Sequence, residues 1–205
     1  MMTTQSNVKQ QSSKSTNTRQ LDILKAALHC FINEGVEATT IEMIREKSGA
    51  SVGSLYHHFG NKEGIAAALY KEGLRQFSLQ LQKALKEVST IEDAIRCIIQ
   101  ANIDWIGTNP DWARFIFRNR RVLKDAKQES TFREEAILTQ LTLITRLQAL
   151  PDFKRLRTLP EPMYLPVLIG PVHEYARQWL DGTAALPFSE LEEDFVQIAF
   201  KSLLD

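Results

Sequence analysis

The chain has 205 residues, 43% of them hydrophobic and 24% charged, and its 25 basic residues are balanced by 25 acidic ones. That is ample apolar material for one large or two small domains without disulfide or metal staples, and the two cysteines, Cys30 and Cys97, lie inside apolar helical patterns and read as buried reduced thiols. The polar N-terminus is no secretory signal and the longest apolar run, Tyr164 to Val172, is broken by Pro166, Gly170 and Pro171, which excludes a membrane partner and sets the expectation of a cytoplasmic protein.

Residues 1–17 are rich in Ser, Thr, Gln and Asn, a composition unable to bury enough surface to order itself, and read as a mobile arm. From Thr18 the apolar residues Leu21, Leu24, Leu28 and Phe31 recur in steps of three and four, an amphipathic helix that Gly35 ends. A second helix starts at Thr39, which has capping-box spacing to Glu42, or at the competing cap Thr40, and stops at Gly49. A third runs from Ser51 to Gly60. Asn61 then caps a fourth in which Ile65, Leu69, Phe77, Leu81 and Leu85 continue one apolar stripe for about seven turns.

Helical periodicity continues over 90–108, 111–122, 129–150, 162–180 and 189–204, with Pro110, Pro151, Pro160, Pro162 and Pro187 at the seams. Pro171 falls inside a helical pattern and predicts a kink after Gly170. No stretch alternates with period two. The expectation is an all-α chain of about nine helices.

The zero net charge hides an asymmetry. Residues 1–62 carry Lys9, Lys14, Arg19, Lys25, Arg45, Lys47 and Lys62 against Asp22, Glu34, Glu37, Glu42 and Glu46, and hold three of the four histidines. Any polyanion surface therefore lies near the N-terminus. There, two short helices joined by a glycine turn and preceded by a longer one make a helix-turn-helix, whose second helix enters the DNA major groove. In "SVGSLYHHF", Leu55 and Phe59 are four apart and face the core together. Ser51, Val52, Gly53, Ser54, Tyr56 and His57 are left on a face of small, hydroxyl and aromatic groups, suited to close approach to phosphates and base edges. Lys62 adds a cation in the first turn of the next helix, where free amides already favour an anion. His58 reads as a structural residue pointing toward the fourth helix.

The positions Gly35, Thr40, Ile44, Gly49, Ser51, Gly53, Leu55, Tyr56, His58, Phe59, Lys62 and Glu63 resemble the N-terminal DNA-binding domain of the TetR family of bacterial transcription regulators. The resemblance implies phosphate contacts at Thr40, Tyr56 and Lys62 and a recognition helix from Ser51 to His57. It also implies a division into the arm (1–17), a DNA-binding domain (18–64) and a ligand-binding and dimerisation domain (65–205). Two positions depart from the family pattern. Arg45 replaces a small residue, so either its stem lies along the surface or the helices cross more widely; Val52 replaces a polar or basic residue and offers apolar contact to a base.

Catalytic readings fail. The run His173, Glu174, Tyr175, Ala176, Arg177 begins like a zinc protease motif but carries Arg where the second histidine must stand. No phosphate loop, nucleophile elbow or Cys/His cluster is present, and no metal, cofactor or catalytic residue is expected. The aromatics of the central helices predict an apolar ligand pocket including Phe77, Trp105, Phe115 and Tyr164, as the family's inducers occupy such a place. The last two helices carry broad apolar faces, Leu165, Ile169, Val172, Ala176 and Trp179 on one and Leu191, Phe195 and Ile198 on the other. These look too broad for partners within the chain and predict a homodimer joined by a four-helix bundle. The reading is a repressor of a pseudo-palindromic double-stranded DNA operator, released by an unknown small molecule; an activator or an architectural DNA-binding protein is the alternative.

Overall fold

The structure, a computed structural model, describes residues 4–119 and 143–205. Among these the regular structure is helical apart from an isolated antiparallel bridge between Leu156 and Leu204. Contacts group it into two units, Met1–Glu72 and Gly73–Asp205, so the division falls inside the fourth helix rather than after residue 64.

In the first unit, α1 spans Thr4–Ala38 and breaks at Gly35, whose φ of 82° and ψ of 159° are not helical. Residues 4–17, expected as a mobile arm, continue α1, because no proline or glycine occurs between Thr4 and Glu34 to stop it. Helix α2 spans Ile41–Ser48 and is capped by Thr40, whose Oγ1 accepts from the Met43 amide at 3.3 Å. The rival cap, Thr39, is instead buried and donates its hydroxyl to the Gly35 carbonyl at 2.7 Å. Gly49, at φ 64° and ψ 12°, ends α2 in the left-handed region where a Cβ is disfavoured. Helix α3 spans Val52–Phe59, with Ser51 Oγ accepting from the Ser54 amide at 3.2 Å. Helix α4 spans Lys62–Ala84, and Asn61 Oδ1 accepts from the Gly64 amide at 2.7 Å, the expected cap. Its first turns belong to this unit, with Ile65, Ala66 and Leu69 buried.

The second unit is built around α5, Ile91–Thr108. Its apolar residues are buried around most of its circumference, from Ile91 through Ile98 and Ile99 to Ile106, which makes it a central rather than a surface helix. Thr90, the residue before it, is its cap, with Oγ1 accepting from the Asp93 amide at 3.1 Å, and Asp152 accepts from the Ile91 amide at 3.0 Å. Around it lie α6 (Pro110–Asn119), the helical residues 143–148, α7 (Tyr164–Leu180) and α8 (Glu192–Leu203). Helices α7 and α8 pack on α5 and on each other. Helix α7 is one element through Pro171, where a kink was expected. The predicted helices 111–122 and 129–150 extend outside the described residues.

The segment between Leu150 and Tyr164 is irregular yet well tied. Arg157 donates its amide to Leu203 at 2.7 Å, the Asp205 amide donates to Arg155 at 3.1 Å, and Tyr164 donates its hydroxyl to the Arg157 carbonyl at 3.2 Å.

Candidate functional site

Helix α3 has eight residues, too short to be stable alone, and is anchored by one fully buried side chain, Leu55. Phe59, expected beside it in the core, is half-buried. The opposite side is open: Tyr56 is 52% and Val52 40% exposed, Ser51, Gly53 and His57 are exposed, and Ser54 is half-buried. An exposed valine and tyrosine beside hydroxyls and a glycine form a surface that gains by lying against a partner. The sequence reading of this face therefore describes one continuous side of one helix.

The flanking residues hold that helix in place. His58 is half-buried and its Nδ1 pairs with Gln20 Nε2 of α1 at 3.2 Å, a structural contact to the first helix, which leaves the exposed His57 as the outward histidine. Thr40 is exposed, and because its Oγ1 accepts the cap bond its hydroxyl hydrogen stays available to an anion. Lys62 Nζ donates to the Glu37 carbonyl at 2.7 Å, using one of three donors. Arg45 is held on the surface of α2 by Glu42, at 2.6 Å, so its stem lies along the helix and its head group stays near solvent.

Gly64 was missed by sequence reasoning. A Cβ built there lands on the Phe59 carbonyl oxygen, so this position lets the end of α3 approach the first turn of α4. The only signal was a glycine inside a helix start, where it costs about 1 kcal/mol relative to alanine.

The second unit encloses an apolar cavity of about 240 Å³, walled by Phe77 and Leu81 of α4, Ile98, Asn102 and Trp105 of α5, and Ile169 and His173 of α7, among others. Phe77 and Trp105 meet edge to face with ring centroids 5.9 Å apart. Both were expected in a pocket. Phe115 is fully buried and does not line it, and Tyr164 lines a second cavity of about 490 Å³ instead. The polar feature of the first cavity is the pair Asn102 and His173, 3.0 Å apart, with Asn102 also donating to the Ile98 carbonyl at 2.8 Å. Asn102 was missed, although a lone amide within an isoleucine-rich helix is a readable signal. Trp105 Nε1 is buried without a hydrogen-bond partner, alone in this among the described side chains. Such a group is expected at a functional place rather than in a plain core. Among the described residues no group of acidic, His or Cys side chains could hold a metal.

The residues expected at a dimer interface divide. Val172 and Ala176 are fully buried and Phe195 is 8% exposed, all within one chain. Leu165 and Ile169 line the cavities. Within the chain, α5 is apolar on most sides and packs on α7 and α8, which also pack on each other. Trp179 and Leu191 are half-buried, Trp179 stacking on Phe188 at 5.7 Å, and Ile198 remains 46% exposed.

Residues 23–69 match the family model described as bacterial regulatory proteins, tetR family. The HTH-type transcriptional repressor AcnR of Corynebacterium jeikeium is 27% identical over 192 residues, which span 90% of this chain and 93% of that protein. A TetR family transcription regulator from Marinobacter aquaeolei shares the fold with a TM-score of 0.77 at 14% identity, over 94% of this chain and 99% of that one. The regulator FadR from Bacillus subtilis, solved in complex with stearoyl-CoA, does so with a TM-score of 0.72 at 17% identity, over 87% and 96%.

Proposed function

Because the chain belongs to the TetR family of bacterial transcription regulators, we propose that it is a cytoplasmic repressor that binds a pseudo-palindromic operator as a homodimer and leaves it when a small molecule occupies the second unit. The observation that carries this is the open side of α3, in which Val52, Gly53, Tyr56 and His57 are presented by a helix anchored through Leu55. Each subunit offers one such helix to one major groove, so a two-fold dimer reads two half-sites. Tyr56, Thr40 and Lys62 supply phosphate contacts, which fix position, while Ser51, Val52, Gly53, Ser54 and His57 meet base edges and the sugar-phosphate wall. Val52 offers only apolar contact, matching a thymine methyl.

The effector part of the reading is supported by the apolar cavity and its unpartnered Trp105 N–H. Helix α4 contributes to both ends of the process, with Ile65 and Leu69 in the first unit and Phe77 and Leu81 in the cavity wall. A ligand that reverses the operator-bound population from 99:1 needs about 5.5 kcal/mol of differential binding between the two states. The repressor reading is favoured by the likeness to AcnR over nearly the whole chain. The dimer surface in this reading is the outer side of α7 and α8 around Ile198.

The test is to sequence genomic fragments retained by the purified protein at near-physiological salt. A shared pseudo-palindrome is expected, with transcription from its promoter rising when the gene for this protein is deleted. Random fragments, or a fall in transcription, would overturn the reading.

A further inference from the structure

Both cavities of the second unit are walled by the same two leucines, Leu143 and Leu165. They also follow the same two helices in the same order. Along α5 the second cavity takes Ile91 and Ile95 and the first takes Ile98 to Ile106; along α7 the second takes Tyr164 to Leu168 and the first Ile169 to His173. The two voids are therefore end to end, with a leucine pair as the partition. From Ile91 to Ile106 the α5 backbone advances about 22 Å at 1.5 Å per residue. One lipid tail spans about 15 Å, half of a bilayer's hydrocarbon core.

The ends differ in chemistry. The second cavity carries Thr145, Gln148 and Glu161, all exposed. The far part, beyond the leucines, is lined by the rings of Trp105 and Phe77, and its polar groups, Asn102 and His173, are bonded to each other. A compact ligand can fill only one lobe and leaves the other empty. A narrow one can fill both.

We infer that the effector is a single-tailed aliphatic amphiphile, its polar group among Thr145, Gln148 and Glu161 and its unbranched tail passing between Leu143 and Leu165 toward Trp105. This rests on the effector reading above and names the ligand class. The leucines act as a flexible collar, since turning their side chains aside joins the lobes without moving a helix.

The experiment is a calorimetric titration of the full chain, without DNA, with straight-chain alcohols from hexanol to tetradecanol. Affinity is expected to rise about fourfold per added methylene through the series, the factor that follows from burying each CH₂. In Leu165→Trp the partition is thickened, and the rise should stop at the shorter members, whose affinity is kept. Thr145→Trp, at an exposed position, should weaken the long alcohols more than the short ones and guards against misfolding of the first variant. A rise that stops at the same short chain with and without Leu165→Trp would overturn the inference. So would adamantanol binding as tightly as decanol, its straight-chain counterpart in carbon count. Alcohols that follow the chain-length law without releasing operator DNA would support this inference and contradict the effector role proposed above.

Discussion

Lys62 Nζ donates to the backbone carbonyl of Glu37 at 2.7 Å. That carbonyl lies in the last turn of α1, past the break at Gly35, where helix carbonyls lack amide partners. The lysine thus ties the end of α1 to the start of α4 and frames the two short helices between them. Lys62→Ala should lower the stability of the protein by about 1 kcal/mol, read by urea denaturation. It should also weaken DNA binding uniformly across sequences and reduce the salt slope of log K by about 1. An unchanged slope would leave Lys62 as a structural tie without a phosphate contact.

Tyr56 is 52% exposed on the same unit and holds nothing in the core. Tyr56→Phe removes one hydroxyl and should cost about 1 kcal/mol of operator affinity, with melting temperature and salt slope unchanged, since no cation is lost. Fluorescence anisotropy on labelled operator at several salt concentrations reads both quantities. Equal affinity of the two proteins would remove Tyr56 from the contact set.

Gly64 admits no Cβ without displacing the Phe59 carbonyl. Gly64→Ala should destabilise the protein by about 1–3 kcal/mol, the usual cost of overpacking, and lower DNA affinity through a shifted α3. Gly53→Ala meets open space and serves as the control for stability. If Gly64→Ala were as stable as the parent, α3 and α4 would not be held as described.

Glu193 binds Arg96 through both carboxylate oxygens, and the hydrogen bond from that guanidinium, followed by one from Gln197, holds its carboxyl down from 4.5 to about 2. A lowered value in the folded protein means that the pair stabilises above pH 4.5 and that this contribution is lost as pH falls toward about 2. Glu193→Gln should flatten the dependence of stability on pH within that window and leave it unchanged near neutrality. Both partners are exposed, so added salt should shrink the difference. Thermal melts at stepped acid pH read it, and parallel curves for the two proteins would count against the pair.

Ile198 is the residue of the expected dimer set that keeps a large exposed apolar surface, at 46%. Ile198→Asp should raise the dimer dissociation constant by at least tenfold, from a buried unpaired charge costing about 1.4 kcal/mol or more. Sedimentation velocity across a dilution series measures it. An unaltered dimer would move the interface away from this side of α8.

Much of the fold was legible because helix ends are written in local chemistry. Thr40, Gly49, Ser51 and Asn61 act at the positions where their side chains or backbone freedom imply a cap or stop. Where two neighbours competed, as Thr39 and Thr40 did, local rules left the choice open. In the fold Thr39 is buried and its hydroxyl turns back to the Gly35 carbonyl, which leaves Thr40 as the cap. The outward side of α3 was legible because one buried leucine in a short helix fixes which residues turn outward. His58 could not be placed, since Gln20 lies 38 positions away along the chain.

The sequence by itself determined that the chain is helical, where most of its short helices begin and end, and which side of α3 is open. Each of these follows from interactions within about a turn of the residue concerned. Only the tertiary structure decided which apolar faces are core, which line cavities and which are left exposed. An apolar stripe records that a face avoids water, not what covers it. Leu165, Val172 and Ile198 read alike along the chain, yet the first lines both cavities, the second is fully buried and the third is exposed. The difference between them is the position of α5.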